Sequence, residues 1–195
     1  MTNTMIPGYI YDEPALPASP VTEADLAELR ASVLFGEEDE AALRRAGEVL
    51  AGQVEDVLDV WYGFVGANPH LLAHFADEDG KPLQDYLARV RVRFGQWIVD
   101  TCNRPYDARW LAYADELGRR HTAAAKNRAD AARSTASVPL RHLIALIYPI
   151  TATVRPFLAA TGATEEEVDA MHEAWRKTVI MQVALWSRAY APEQW

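Results

Sequence analysis

The sequence predicts an all-α fold, and three observations carry that expectation. Over most of the chain apolar residues recur at spacings of three and four, the period of one helix face. No segment alternates with period two between hairpin turns. Capping residues, prolines and glycines punctuate the chain at helix-length intervals. A chain of 195 residues with half of them hydrophobic can bury a sizeable core, and one domain over residues 1–195 is expected.

Residues 1–20 have no helical period, and Pro7, Pro14, Pro17 and Pro20 forbid a regular helix there. Ile6, Tyr9, Ile10 and Tyr11 are costly to leave in water, so this segment is expected to lie over the body of the protein. A helix over 22–34 follows, capped by Thr22 with Asp25 at its third position and striped by Leu26, Leu29 and Val33. Gly36 is expected to end it. The acidic run 37–40 suits the N-terminus of a second helix, with Leu43, Ala46 and Leu50 as its stripe and Gly52 as its break. Val54, Val57, Leu58, Trp61, Tyr62 and Val65 form the broad apolar face of a third. Asn68 and Pro69 open a short helix to about Phe75, and residues 76–80 form a turn.

A long helix is expected from Pro82 to Asp100, facing inward through Tyr86, Val90, Phe94, Trp97 and Ile98, with a loop over 102–106. From Asp107 another helix carries Trp110, Leu111, Ala114, Leu117 and His121 on one side. Residues 126–137 are small and polar without a stripe, and read as a loop. Pro139 opens a very apolar helix in which Pro149 and Pro156 predict kinks. Gly162 ends it, Thr164 and Glu167 form a capping box, and a last helix runs to about Arg188.

Composition excludes several functions. The net charge of -9 repels phosphate backbones, so no nucleic-acid partner is expected. A single cysteine, Cys102, permits neither an intrachain disulfide nor a multi-cysteine zinc site. The first residues lack the basic and apolar regions of a secretory signal. The longest apolar stretch, Leu143 to Val154, falls short of the roughly 18 residues that span a membrane. A cytoplasmic protein is therefore expected.

The histidines differ in promise. His70 and His74 share a helix face, but Leu71 stands where a hydrolytic zinc helix needs Glu. His172 and Glu173 begin that motif, but Arg176 replaces its second histidine. His142 reads as half-buried. His121 falls on the inner face of its helix, four residues beyond Leu117, among small and apolar neighbours. It is either a hydrogen-bonded core histidine or an axial ligand to a metal or haem. Trp61 and Tyr62 stand about 100° apart on a helix, so one can face a cavity while the other packs. Gly63, mid-helix, implies a close approach by another helix or a flat ligand. Cys102 reads as a buried or semi-buried thiol, and there is no nucleophile elbow or phosphate loop.

Several long motifs occur in order: IPGY (6–9), AGEVL (46–50), DVWYGFV (59–65), VRFGQWIVDTCNR (92–104), IYPITAT (147–153) and QVALWS (182–187). Together they resemble the protoglobins, haem proteins related to the sensor domains of globin-coupled sensors. The resemblance implies a globin-like all-α fold over 37–190, with an additional N-terminal helix at 22–34 and an N-terminal segment over 1–20 that covers the cofactor. It implies haem b held by His121 as proximal iron ligand, with Trp61, Tyr62, Phe94 and Leu146 around the pocket. Arg93, beside Phe94, is a candidate partner for a haem propionate. Thr122 stands where relatives often carry a second histidine. The last two long helices, 139–158 and 164–188, would form a homodimer face. The implied function is reversible binding of O2, CO or NO for sensing or storage. The alternative is haem enzyme activity at the same site: nitric-oxide dioxygenation, peroxidase-like chemistry, or carbene transfer with diazo reagents.

Overall fold

The computed structural model describes residues 6–160 and 162–195. The first five residues of the expected N-terminal segment lie outside that range. The helices are α1 (Glu23–Ser32), α2 (Glu37–Leu50), α3 (Val54–Ala67), α4 (Pro69–Leu72), α5 (Gln84–Asn103), α6 (Ala108–Arg119), α7 (Leu140–Ala159) and α8 (Glu165–Ser187). Short 3-10 turns cover Ala73–Phe75 and Pro192–Gln194. Among the described residues there is no strand, only an isolated bridge between Ala76 and Pro82 that closes the turn before α5.

Helix ends follow their capping chemistry. Thr22 and Asp25 form a reciprocal capping box at α1, Asp107 accepts from the Trp110 N–H at α6, and Thr164 and Glu167 box α8. At two helix boundaries the structure differs from expectation. Gly36 caps the start of α2 rather than ending α1. The long helix starts at Gln84 and runs on through Cys102 to Asn103, so the loop before α6 is shorter. α7 is one helix that contains both Pro149 and Pro156, the two positions expected to kink it.

α8 is the axis of the packing and lies against α7, α2 and α6. Its Trp175, Ala174, Thr178 and Met181 are completely buried. One polar device crosses this core: Gln182 accepts from Trp97 Nε1 at 2.7 Å and donates to Thr101 Oγ1 at 3.2 Å, so each buried group is satisfied. α7 is long and apolar enough to cross a membrane by length and composition, which the uninterrupted-run criterion missed. It packs here against α8, α3 and α2, and Leu143, Ile150, Val154 and Leu158 enter the protein interior.

The N-terminal segment forms a second, smaller core. Tyr11, Leu16 and Val21 are buried with Leu26 of α1, Trp110 to Ala114 of α6, and Leu185. Ile6-Pro7-Gly8-Tyr9 closes with a Tyr9 N–H to Ile6 carbonyl bond of 3.0 Å, and Gly8 has φ +75°. That is the proline-then-glycine pattern of a type II turn, which needs a residue tolerant of positive φ at its third position.

No other helix approaches Gly63 closely: among the described residues, leaving out its chain neighbours and its own helix backbone, no atom lies within 4 Å of a Cβ built there. The tight glycines are elsewhere. A Cβ on Gly47 would meet Cys102 Cβ at 2.8 Å, and one on Gly118 would meet the Trp186 backbone at 2.9 Å. The second contact lets α6 and α8 approach closely and brings Trp186 beside the end of α6.

Candidate functional site

The main cavity has a volume of about 260 Å³ and is lined chiefly by apolar side chains. All six candidate residues line it: Trp61 and Tyr62 from α3, Arg93 and Phe94 from α5, His121 from just beyond α6, and Leu146 from α7. Sequence periodicity placed His121 on a helix. α6 ends at Arg119, and His121 sits in the following turn, its N–H bonded to the Gly118 carbonyl at 3.1 Å.

The His121 imidazole is held in one orientation. Its Nδ1 lies 2.8 Å from the Leu117 carbonyl. A carbonyl can only accept, so Nδ1 carries the proton, and in the neutral ring Nε2 keeps a lone pair. Nε2 has no hydrogen-bond partner among the described residues. The ring stacks on Trp186, centroids 5.2 Å apart and planes 26° apart. Burial, aided by the charge of Lys126 and opposed by the Leu117 bond, pushes its pKa down to about 4. The ring is therefore neutral at physiological pH.

The ring wall is built by edge contacts. Phe94 meets Trp61 at 5.7 Å, Tyr62 at 6.4 Å and Trp97 at 5.3 Å between centroids. Burial raises the Tyr62 phenol pKa, against the opposing charges of Arg91 and Arg93, so it stays a neutral O–H donor. No partner for that hydroxyl is found among the described residues.

The same cavity has a cationic rim, most of which sequence reasoning missed. Arg93 donates to both oxygens of Asp130, at 3.1 and 2.5 Å, and to the Pro7 carbonyl at 2.8 Å. Arg120 donates to the Gly8 carbonyl at 2.6 Å and to Glu116 at 2.8 Å. Lys126 is only 6% exposed and donates to the His74 carbonyl and Ser134 Oγ. Burial pulls its pKa down to about 8. The segment read as a featureless loop thus supplies Lys126 and Asp130 to the site. Trp97 and Leu117 were legible only as stripe residues, and Trp186 only within the motif at 182–187.

The remaining histidines are structural in their contacts. His74 bonds Thr135 Oγ1 at 3.0 Å and His142 Nδ1 at 3.1 Å, and His172 bonds the Thr151 carbonyl at 3.0 Å. Among the described residues no group of three or more His, Cys, Asp or Glu is placed to hold a metal ion alone. Cys102 is buried, and burial raises its thiol to about 12.

A flat apolar cofactor bearing carboxylates fits this donor set: one neutral imidazole with a free nitrogen, aromatic walls, and three cations in the cavity lining, two of them paired with protein carboxylates. The sequence model of the protoglobin family matches residues 22–195, and the chain belongs to that family. It is thereby a haem globin with the capacity to bind gaseous ligands. Among solved structures, it is similar to the globin domain of the Geobacter sulfurreducens globin-coupled sensor. That match has 16% sequence identity and a TM-score of 0.64, and covers 85% of this chain and 97% of that one. The likeness shows the globin fold. The comparison with curated proteins returned no match.

Proposed function

We propose that the chain holds haem b through His121 Nε2 and binds O2, CO or NO reversibly, for gas sensing or storage. The observation that carries this reading is the fixed imidazole: Nδ1–H is committed to the Leu117 carbonyl, which leaves Nε2 as the free donor atom in the cavity. The iron porphyrin, when bound, supplies the coordination position that a diatomic gas takes up. The protein supplies orientation and polarity. Tyr62 donates a hydrogen bond to a ligand that carries partial negative charge. Trp61, Phe94 and Leu146 shape the apolar pocket. Arg93, Arg120 and Lys126 offer positive charge to the propionates, and residues 6–12 close over that rim through the Pro7 and Gly8 carbonyls.

The test is the absorption spectrum of His121→Ala. The wild-type chain should show a Soret band that shifts with dithionite and CO. His121→Ala should lose the axial-histidine spectrum while circular dichroism stays helical. An unchanged spectrum in the variant would make the ligand assignment wrong.

The proposed assembly is a homodimer through α7 and α8. Its support is the exposed apolar pair Ile144 and Tyr148, four residues apart on one face of α7, at 55% and 80% exposure, with Ile180 of α8 also exposed. Sedimentation should give a dimer mass, and Ile144→Glu with Tyr148→Glu should give a monomer. A wild-type monomer would exclude the assembly.

A further inference from the structure

A cluster of three tyrosines stands beside the cavity. Tyr113 of α6 is buried and lines both the main cavity and a neighbouring void of about 10 Å³. The rings of Tyr9 and Tyr11 meet it edge-on at 5.4 and 5.2 Å, and stack on each other at 6.3 Å. Tyr9 is half-buried, and its phenol donates to Asp100 Oδ2 at 2.7 Å. Asp100 is 4% exposed, and its other oxygen is taken by Gln96 at 2.9 Å and Arg104 at 3.3 Å. Ring contacts therefore run from the cavity wall towards the surface, and the outer ring holds its proton against a carboxylate.

That last contact separates Tyr9 from the other aromatics. Among the described residues it is the one tyrosine whose hydroxyl bonds a carboxylate. Tyr106 bonds Thr178, and Tyr190 bonds two backbone carbonyls. Trp97 is held by an amide oxygen, and Trp186 Nε1 has no acceptor. None of these partners is a useful base. Burial and the Asp100 charge raise the Tyr9 phenol, so it does not ionise on its own. A phenol that keeps its proton gives up an electron readily only when a base takes the proton in the same step.

We propose that Tyr113, Tyr9 and Asp100 form a proton-coupled electron relay, which carries electrons from phenol-class reductants at the surface to a cavity whose haem hydrogen peroxide has oxidised. The inference rests on the haem reading above. In each step the Tyr9 O–H bond breaks. The electron passes through the Tyr113 ring towards the cavity, and the proton forms a new O–H bond on Asp100 Oδ2. Tyr9 is left as a neutral radical. An external phenol then returns one hydrogen atom to Tyr9 and becomes the radical itself, while Asp100 releases its proton. Two such rounds deliver two electrons and two protons, which convert one hydrogen peroxide into two waters.

The experiment mixes haem-loaded full-length protein with one equivalent of hydrogen peroxide, freezes it rapidly and records electron paramagnetic resonance. Spin-trap adducts are then located by mass spectrometry. The wild type should give a tyrosyl signal with its adduct on Tyr9. Tyr9→Phe should lose it, and Tyr148→Phe, on the exposed face of α7, should keep it. Asp100→Asn should slow radical formation by about 100-fold, the lower end of what a positioned base contributes, and remove its solvent-deuterium sensitivity. The Soret band and helical circular dichroism establish that each variant is folded and loaded. A radical that survives Tyr9→Phe, or an Asp100→Asn variant as fast as the wild type, overturns the relay while the haem reading stands. A wild-type chain that takes up no haem overturns both.

Discussion

Two walls of one cavity treat their polar groups in opposite ways. On the rim, Arg93, Arg120 and Lys126 each hold protein partners, among them Asp130, Glu116, Ser134 and the carbonyls of Pro7, Gly8 and His74. On the ring wall and beside Trp186, the Tyr62 hydroxyl and His121 Nε2 have no protein partner among the described residues. Buried polar groups are normally paired, because a lost partner costs the desolvation of the group left behind. The difference separates groups that hold the frame from groups left free for a ligand. Substitution on the rim should therefore cost stability, whatever else it does to cofactor binding, and substitution at the free groups should change ligand behaviour with little loss of stability.

The largest expected stability loss is at Asp130. Its side chain is 3% exposed and answers Arg93, which is 12% exposed, with two hydrogen bonds. Asp130→Ala leaves that guanidinium buried without its counter-charge and should destabilise by about 3–5 kcal/mol. It should also loosen the Pro7 contact, which Arg93 holds with the same nitrogen. Urea unfolding with limited proteolysis of residues 6–20 measures both. A variant with wild-type stability would show that the rim does not hold the frame.

Acid should act more gradually, through the buried imidazoles. Burial, with Lys126 and His142 nearby, pushes His74 down to about 4, as burial does for His121. Between about 6.5 and 4 the unfolded chain binds protons that the folded chain refuses, so stability rises with pH there. It is complete above 6.5 and lost as pH falls towards 4, by no more than about 1.4 kcal/mol per pH unit for each ring. Denaturation curves between pH 4 and 7 read the slope, and His74→Gln should reduce it. On the proposed assignment of His121 as iron ligand, haem binding would make that ring harder to protonate, so haem-loaded protein should resist acid better than haem-free protein.

The same division marks what the sequence could reveal. The helices were legible because Val57, Leu58, Trp61 and Val65, or Val168, Met171 and Trp175, repeat with the period of a buried face. The cavity residues on helices were placed by that period and by ordered motifs shared with a known family. The rim was illegible for a physical reason. Lys126 and Asp130 lie in a turn-rich segment with no period, and their burial depends on contacts 37 to 52 residues away in the chain. Gly63 could not announce a helix contact, because a mid-helix glycine has the same appearance whether or not a neighbouring helix approaches. The tight contact occurs at Gly118, where only the crossing of α6 and α8 reveals it.

The smallest effect on stability, and the sharpest test of the free wall, is Tyr62→Phe. The hydroxyl has no protein partner to lose, so unfolding free energy should stay within about 0.5 kcal/mol of the wild type. Bound O2 draws negative charge from iron and CO draws much less, so a phenol donor distinguishes them. Loss of one net hydrogen bond of about 1 kcal/mol should speed O2 release about fivefold and leave CO release nearly unchanged. Stopped-flow displacement measures both rates. Equal acceleration of the two gases would mean that the substitution altered pocket shape rather than removed a donor. An unchanged O2 rate would mean that the hydroxyl does not reach the ligand, and the free wall would then act by shape alone.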